Sequence, residues 1–207
     1  MNIIIFGATG TIGRRLVERA LSEGHRVTAF ARDPSVLQQN HEDLTPMAGD
    51  VLDPGAVADA VRGHDAVLIA LGAGRKGTVR SVGTGHVIAA MQRHGVRRLV
   101  CLSTLGAGDS YAPLTFFWKR IMFGLLLRQA YADHQAQEAL VRQSGLDWVI
   151  VRPGAYTDGP ATGAYRQGFP ATAWDLRLKI SRADVAGFMA RQLTEDTYLH
   201  RAPGLSY

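Results

Sequence analysis

Short apolar runs separated by amphipathic segments extend from residue 2 to residue 151. The runs predict six strands, at residues 2–6, 25–30, 45–48, 66–71, 98–102 and 148–151. Each run is continuous rather than alternating, so we expect both faces of the strands to be buried. The intervening segments predict helices at residues 11–23, 78–94 and 116–144, and a short helix that Asp53 caps and Pro54 opens. We therefore predict an α/β fold in which helices cover both faces of a parallel sheet.

The pattern becomes irregular after residue 153. Gly, Pro, Ala and Thr dominate residues 153–173, and one further helix is predicted at 182–193 with Ser181 as its cap. This part is too short and too poor in core residues to fold alone. We expect a single domain over residues 1–207, to which residues 153–207 contribute a small irregular lobe on the substrate side.

The composition narrows the classes of protein to which the chain can belong. With 207 residues, 46% of them hydrophobic, it is large enough for one sizeable core. Its single cysteine, Cys101, excludes an internal disulfide framework and favours a reducing compartment. The N-terminus has no signal-peptide pattern, and the apolar stretch 114–127 is too short to span a membrane. We therefore expect a cytoplasmic protein with no membrane partner.

The net charge of +5 favours an anionic partner. The basic residues are scattered rather than massed in one run, so we expect no nucleic-acid partner. An anionic small ligand explains the sign of the charge equally well.

The chain is organised around a glycine-rich turn between the first predicted strand and the first helix. Gly7, Gly10 and Gly13 follow one another at intervals of three residues. The first glycine permits a tight turn, the second permits close approach of a pyrophosphate, and the third permits close packing of helix on strand. Together with the strand and the helix, they predict a nicotinamide-dinucleotide site. The alternative is a plain strand–helix turn in which the glycines serve packing only.

The end of the second strand distinguishes between two dinucleotides. NAD-specific sites place an acidic residue there to hold the ribose 2′-hydroxyl, whereas this chain has Arg32. A guanidinium can hold a 2′-phosphate in bidentate fashion, and Arg14 in the first helical turn could reinforce it. We therefore predict NADP(H) rather than NAD(H). The alternatives are that Arg32 is an ordinary surface charge and that Asp33 only caps a short helix beginning at Pro34.

Two further strand ends are expected to complete this site. Asp50 and Val51 follow the third strand, where an acid and an apolar side chain could take the adenine amino group and ring face. Leu71 and Gly72 end the fourth strand, where glycine permits the backbone to approach the cofactor.

With these motifs the chain resembles the atypical short-chain dehydrogenase/reductases. It is similar to the NmrA-like NAD(P)-binding proteins and, most closely, to the biliverdin reductase B and flavin reductase group. The resemblance is carried by Phe6-Gly7-Ala8-Thr9-Gly10, Arg32-Asp33, Gly49-Asp50-Val51, Leu71-Gly72, Ser144-Gly145-Leu146, Thr162-Gly163-Ala164-Tyr165 and Ile180-Ser181-Arg182-Ala183-Asp184. It implies a Rossmann-like doubly wound fold and NADPH-dependent reduction of flavins or other planar acceptors. It also implies cofactor binding by Gly7, Ala8, Thr9, Gly10, Thr11, Ile12, Arg32, Ser35, Asp50, Val51, Leu71 and Gly72.

The catalytic pair of ordinary short-chain dehydrogenases is missing from the sequence. Those enzymes place a lysine four residues after a tyrosine, where it lowers the pKa of the tyrosine. Tyr131 is followed four residues later by Gln135, and no other tyrosine has such a partner. We therefore do not expect ordinary ketoreductase chemistry.

The resemblance implies a different set of catalytic residues. The flavin reductase group has a serine at the position of Thr104, and this hydroxyl or that of Ser103 could keep the role. One of the two histidines of the group's site aligns with His134, whereas the other aligns with Ala155 and is absent. In such reductions the protein mainly positions the two rings for hydride transfer. For His134 the alternative is a packing or surface role.

Later residues extend the expected site towards a substrate. Pro153, within the segment 152–154, is expected to face the nicotinamide end or else only to stop the strand. Tyr156, Tyr165 and Trp174 could stack on a planar acceptor, or they could pack. We interpret the apolar segment 116–123 as a lid or contact surface, with plain core as the alternative.

Two functions from different classes remain open at this stage. The first is an NADPH-dependent reductase of a small planar substrate, which is a flavin, a bilin or a quinone-like molecule. The second is a non-catalytic NADP sensor of the NmrA type, which binds a protein partner. The missing tyrosine–lysine pair and the apolar stretch 114–127 favour the second. We predict no metal site, and either function is compatible with an oligomer.

Overall fold

The computed structural model describes residues 1–72, 77–108, 128–169, 173 and 175–207. The strands in these ranges are β1 (Asn2–Phe6), β2 (Arg26–Ala31), β3 (Leu44–Ala48), β4 (Ala66–Ile69), β5 (Arg98–Leu102), β6 (Asp147–Pro153), β7 (Ala155–Thr157), β8 (Arg166–Gln167), β9 (Lys179–Ser181) and β10 (Gly204–Ser206). The helices are α1 (Gly13–Ser22), α2 (Pro54–Val61), α3 (Val79–His94), α4 (Arg128–Gln143) and α5 (Arg182–Arg191), and a 3-10 helix covers Pro34–Leu37. None of these described helices is both long enough and apolar enough to cross a membrane.

Eight of the strands form one sheet, in the order β3-β2-β1-β4-β5-β6-β10-β8. Neighbouring strands in it are parallel except that β8 runs antiparallel to β10. The strands β7 and β9 form a separate parallel pair. From β1, the strands that follow first in sequence lie to one side of the sheet, and β4, β5 and β6 lie to the other side. Such a reversal of strand order between β1 and β4 opens a crevice at the carboxyl ends of the strands. The structure confirms the predicted Rossmann-like α/β fold.

The two faces of the sheet carry separate apolar layers, because successive residues of a strand point in opposite directions. In β1, Ile3 and Ile5 lie in the same buried cluster as Leu16 of α1. Ile4 and Phe6 lie in the other cluster, with Val87 of α3. Removing both layers from water supplies most of the free energy that favours folding.

Two helix starts follow directly from the sequence. Asp53 caps α2 by accepting hydrogen bonds from the amides of Gly55 and Ala56, at 2.8 and 3.2 Å. The Ser181 hydroxyl caps α5 by accepting from the amide of Asp184 at 3.0 Å. Both caps were predicted, because short polar side chains at these positions satisfy amides that lack an intrahelical acceptor.

Some strand limits and the C-terminal lobe differ from the sequence-based expectation. The strand β4 ends at Ile69 rather than at residue 71, and β6 extends to Pro153. The lobe is more regular than predicted, because β10 joins the main sheet beside β6 and β7 pairs with β9. These strands are only two or three residues long, too short for a periodic pattern to indicate them. Of the helix predicted at 116–144, the part at 116–127 lies outside the described residues.

One buried carboxylate, that of Asp184 in the first turn of α5, organises the C-terminal lobe. It accepts hydrogen bonds from the amides of Thr162 and Gly163, at 3.0 and 2.8 Å. The hydroxyls of Ser181 and Tyr207 donate to it as well, at 2.9 and 2.6 Å. Burial opposes the charged form, but these hydrogen bonds outweigh it and lower the pKa of Asp184. The two late motifs that carry the family resemblance therefore meet at one side chain.

Candidate functional site

Two adjoining clefts open where the sheet order reverses. The first cleft, of about 480 Å³, is lined by Gly7, Thr9, Gly10, Phe30, Ala31, Arg32, Gly49, Asp50, Val51, Leu52, Ala70, Leu71, Gly72 and Val79. The second cleft, of about 190 Å³, is lined by Gly10, Thr11, Ile12, Ala70, Leu71, Gly72, Arg80, Leu102, Ser103, Thr104, His134 and Tyr156. Because the two linings share four residues, the clefts form one continuous groove along the carboxyl ends of the strands.

The glycine-rich turn forms the floor of this groove. Gly7 has a φ of +81°, and a Cβ there would lie 2.5 Å from the carbonyl oxygen of Ala70. A Cβ on Gly13 would lie 2.1 Å from the carbonyl oxygen of Gly7, so this residue must be glycine for α1 to pack on β1. A Cβ on Gly10 would lie 3.2 Å from the same oxygen, which is also a tight contact. Gly10 lines both clefts, so a ligand in the groove can approach its main chain closely.

The amides of the turn divide into two groups. Those of Gly7 and Ala8 donate to the carbonyl oxygen of Phe30, at 3.2 and 3.4 Å. The amides of Thr11 and Ile12, directly before α1, have no acceptor among the described residues. Free amides at a helix N-terminus form a site for an anion. The second group is therefore the part of the turn that can hold a phosphate.

Arg32 stands at the far end of the first cleft. It is exposed and lines this cleft, and no described residue forms a hydrogen bond or an ion pair with it. Asp33 caps the 3-10 helix by accepting from the amide of Ser35 at 3.1 Å, as the sequence suggested. The Ser35 hydroxyl also donates to Asp33, and Ser35 does not line either cleft. Arg14 donates through Nε to the carbonyl oxygen of Thr9 and is likewise outside both linings.

Asp50 and Val51 lie in the lining of the first cleft, as expected from their place after β3. The carboxylate of Asp50 accepts a hydrogen bond from the amide of Leu52 at 3.0 Å, which fixes its orientation. Val51 is buried at 7% exposure and presents an apolar surface. This end of the groove thus combines the acceptor Asp50, the apolar side chain of Val51 and the guanidinium of Arg32, which is unpaired among the described residues.

Ser103 and Thr104 follow β5 and reach the second cleft in different states. The buried Ser103 hydroxyl donates to Oε1 of Glu138 at 2.7 Å, so towards the cleft it can only accept. Thr104 makes one long hydrogen bond, from Oγ1 to the carbonyl oxygen of Leu105 at 3.3 Å. Its hydroxyl is therefore the more available of the two.

Arg152, which was expected with its segment 152–154 to face the nicotinamide end, lines neither cleft. Its guanidinium is buried and pairs with the carboxylate of Glu138 on α4. Pro153, the last residue of β6, lines neither cleft. The sequence placed both residues at the end of a strand correctly but did not show to which face of the sheet each side chain belongs.

His134, on α4, lines the second cleft and is half-buried. Its Nδ1 atom is buried and has no hydrogen-bond partner in the part of the chain that the structure describes. Burial and, secondarily, the nearby charge of Arg80 lower the pKa of His134 to about 4. The imidazole is therefore neutral at physiological pH, and it can orient a ligand through a hydrogen bond but cannot act as a cationic acid.

The second cleft also contains Arg80, to which the sequence analysis assigned no role, and Tyr156, for which it left stacking and packing open. Arg80 was missed, although it occupies the buried face of α3 at the spacing of Thr84 and Val87, where an apolar residue is the norm. That mismatch between charge and position is the signal that could have found it. Tyr156 of β7 is 38% exposed and lies in the lining. Desolvation of its hydroxyl nevertheless raises the pKa of Tyr156 to about 12.

Most of the other residues that were predicted to bind the cofactor line the groove. Gly7, Thr9, Gly10, Thr11, Ile12, Leu71 and Gly72 line one or both clefts. Ala8 is fully buried in the core and lines neither. Tyr165 packs with Phe188 at 6.4 Å between ring centroids. Trp174 and the segment 116–123 lie outside the described residues.

Comparisons with known proteins identify the family and agree with the fold. The model of a family described as NAD(P)H-binding matches residues 7–196. A UPF0659 protein of Saccharomyces cerevisiae is 28% identical over 93% of this chain and 87% of its own length. An anaerobilin reductase of Escherichia coli O157:H7 has a similar structure, with a TM-score of 0.81 and 26% identity over 99% of this chain and 96% of that one. A Veillonella parvula short-chain dehydrogenase/reductase in complex with NADP shares the fold, with a TM-score of 0.81 and 21% identity over 100% and 94% of the two chains.

Proposed function

Since the chain belongs to the NAD(P)H-binding family, we propose that it is an NADPH-dependent reductase of a small planar acceptor, which is a bilin, a flavin or a quinone-like molecule. The observation that carries this proposal is the continuous groove, with Arg32 at one end and Thr104 and His134 at the other. The groove passes the carboxyl ends of the five neighbouring strands β3, β2, β1, β4 and β5, where an extended dinucleotide lies in this fold.

The first cleft suits the adenosine half of the cofactor. The amides of Thr11 and Ile12, which have no acceptor among the described residues, and the main chain of Gly10, which lines both clefts, suit a pyrophosphate. The unpaired guanidinium of Arg32 suits a 2′-phosphate, which is the group that distinguishes NADP from NAD. Asp50 completes this end as an acceptor for the adenine amino group.

The second cleft suits the nicotinamide and the acceptor. When bound, the reduced nicotinamide supplies a hydride from its C4 atom, and a proton from water completes the two-electron reduction of the acceptor. The protein orients the reactants and excludes water. Thr104 donates a hydrogen bond to a reactant, the neutral imidazole of His134 forms another, and Tyr156 offers a ring face for stacking. Because His134 is neutral and the Tyr156 pKa is high, the proton comes from solvent rather than from either side chain.

The likeness to an anaerobilin reductase supports a bilin among the acceptors. Bilins, flavins and quinones share an extended conjugated ring system that accepts a hydride without a strong acid beside it. This requirement fits a site that lacks the tyrosine–lysine pair of carbonyl reductases.

A second candidate is a non-catalytic NADP sensor. It is favoured by the lack of a proton donor in the described lining of the second cleft. At neutral pH this lining has no cationic histidine and no tyrosine with a lowered pKa. A sensor needs only the first cleft and a surface that changes with occupancy.

Mixing the purified protein with NADPH and biliverdin, FMN, riboflavin or menadione tests the two candidates. We expect oxidation of NADPH with at least one acceptor, faster than oxidation of NADH. Binding of NADP+ and NADPH with equal affinity and no turnover with any acceptor would overturn the reductase and support the sensor. Absence of binding of either dinucleotide would overturn both.

A further inference from the structure

Arg80 is a cation at a position that normally carries an apolar side chain. It lies in the first turn of α3 and is 9% exposed, yet it lines the second cleft. A buried guanidinium costs free energy unless its N–H groups are paired. If the protein leaves N–H groups of Arg80 unpaired, a ligand in the second cleft can supply the missing hydrogen-bond acceptor.

The pairing of Arg80 within the protein is incomplete. Among the described residues, the guanidinium approaches one carboxylate, with Nη1 3.5 Å from Oδ2 of Asp133, and its buried Nε has no partner. Asp133 is already engaged as the cap of α3: it accepts from the amides of Arg80 and Ser81, at 3.1 and 2.9 Å, and from the Ser81 hydroxyl at 2.6 Å. One carboxylate thus serves a helix start and a guanidinium at once, and the guanidinium keeps unused donors.

The surroundings of Arg80 are deficient in acceptors as well. Among the described residues, the buried Nδ1 of His134 has no partner, and no Asp or Glu belongs to the lining of the second cleft. The guanidinium carbon of Arg182 lies 5.3 Å from the ring centroid of Tyr156, which lines the same cleft. Arg182 pairs with Asp158 through Nη1, but its buried Nε also lacks a partner in the described part of the chain. Two incompletely paired arginines therefore lie near Tyr156.

We propose that Arg80 makes the second cleft selective for an anionic acceptor, one that carries a carboxylate, phosphate or sulfonate beside its reducible ring system. The anion supplies the acceptor that Arg80 lacks, while the ring system lies against Tyr156. The inference rests on the proposed function, because it names the class of molecule that the reductase takes. Arg80 is a specificity-determining residue in this account and takes no part in hydride transfer.

Matched pairs of acceptors test the proposal. Each pair differs in the anionic group: biliverdin and its dimethyl ester, FMN and riboflavin, anthraquinone-2-sulfonate and 2-hydroxymethylanthraquinone. Dissociation constants are measured on the protein saturated with NADP+, and KM and kcat are measured with NADPH. The variants are Arg80→Gln, Arg80→Lys and, as a control, Arg62→Gln, which changes an exposed arginine outside both clefts. The affinity of each variant for NADP+ is measured separately.

In the wild type we expect the anionic member of at least one pair to bind roughly tenfold to a hundredfold more tightly, the size of a charge-assisted hydrogen bond. Arg80→Gln should abolish this preference through KM, whereas Arg80→Lys should keep part of it and Arg62→Gln all of it. No preference in any pair, or a preference that survives in Arg80→Gln, would overturn the proposal.

Two results separate this inference from its premise. If Arg80→Gln weakens NADP+ as much as it weakens the anionic acceptor, Arg80 holds the cofactor and the inference is wrong while the cofactor site stands. If the wild type fails to bind NADP+ at all, the proposed function is wrong as well. Arg80→Lys keeps the cation and therefore serves as the decisive variant if Arg80→Gln does not fold.

Discussion

Glu138 and Arg152 form a bidentate ion pair in the protein interior. Nε of Arg152 lies 2.9 Å from Oε1 and Nη2 lies 2.6 Å from Oε2. The two side chains are 4% and 2% exposed. Oε1 also accepts from the Ser103 hydroxyl, and a Cβ on Gly108 would lie 2.3 Å from Nη2. The pair therefore joins α4 and β6, and through Ser103 it contacts the lining of the second cleft.

We expect Glu138→Ala to lower the free energy of unfolding by roughly 3–5 kcal/mol, because it removes the buried carboxylate that pairs with Arg152 and accepts from the Ser103 hydroxyl. Urea denaturation at neutral pH measures the change. Asp59→Ala is the matched control, since its pair with Arg62 is exposed and is worth at most about 1 kcal/mol. An effect of Glu138→Ala no larger than that of the control would show that the pair contributes little to stability.

The sequence predicted the part of the fold that rests on long periodic segments. The helix α1 was predicted at residues 11–23, where the residues that are buried in the structure, Leu16, Val17, Ala20 and Leu21, recur with a helical period. The strand β10 at Gly204–Ser206 was missed, because three residues hold no period and their place beside β6 is set by tertiary packing.

For the site, the sequence located side chains along the chain but not their partners. It placed Ser103 beside Thr104 without indicating that the Ser103 hydroxyl donates a hydrogen bond to Glu138, 35 residues later. It also placed Arg152 at a strand end without indicating that the side chain turns into the core. Long-range partners of polar side chains depend on helix rotation and sheet order, neither of which a single sequence encodes locally.

Gly13 and Gly187 offer a contrast between two glycines. Gly13→Ala puts a Cβ 2.1 Å from the carbonyl oxygen of Gly7, and we expect a loss of roughly 1–3 kcal/mol in the free energy of unfolding. Gly187 lies inside α5 with nothing within 4 Å of its added Cβ. Gly187→Ala should therefore raise stability by about 0.5–1 kcal/mol through helix propensity. Thermal or urea unfolding of the two variants checks both signs, and a gain in Gly13→Ala would contradict the geometry.

Arg32→Ala tests the selection of the cofactor. We expect the affinity for NADPH to fall roughly tenfold to a hundredfold, because a charge-assisted hydrogen bond to the 2′-phosphate is lost. The affinity for NADH should hardly change, since NADH has no such phosphate. Calorimetric titration with both dinucleotides makes the measurement, with Arg62→Ala as the control for a general change in surface charge. Equal losses for both dinucleotides would mean that Arg32 does not contact the 2′-phosphate.

The low pKa of His134 makes stability depend on pH in a known direction. The imidazole has a pKa of about 4 in the folded state against 6.5 for an ordinary histidine. Between these values the unfolded chain binds a proton that the folded protein does not, so stability falls as the pH is lowered from 6.5 towards 4. His134→Gln should reduce the loss between pH 7 and pH 5 by roughly 1–2 kcal/mol.

Other histidines contribute to the same loss, so the His134 effect must be taken as a difference between variants. The pKa values of His25 and His64 are also lowered, chiefly by burial. Both remain in the variant and cancel in the comparison. His41→Gln, a substitution at the exposed surface, is the control. An unchanged pH dependence in His134→Gln would show that this residue is already protonated, or not desolvated, in the folded protein.

Tyr207→Phe tests the carboxylate that organises the C-terminal lobe. Removing the hydroxyl deletes the 2.6 Å hydrogen bond to Asp184, and we expect a loss of roughly 1.5–3 kcal/mol, as for bonds to charged groups. Hydrogen exchange should increase at the amides of Thr162 and Gly163, which share the same acceptor. Unchanged exchange at these amides would mean that the loop holds its conformation independently of Tyr207.

Residue 80 performs two tasks with two different parts of one amino acid. Its main-chain amide fastens the start of α3 to Asp133 of α4, and any residue except proline can supply that amide. Its side chain alone carries the charge into the second cleft. The start of α3 thus depends on the main chain of residue 80, and a single codon change there can alter the charge of the second cleft while that amide hydrogen bond persists. In a lineage of such proteins, position 80 is where divergence of substrate should be sought first.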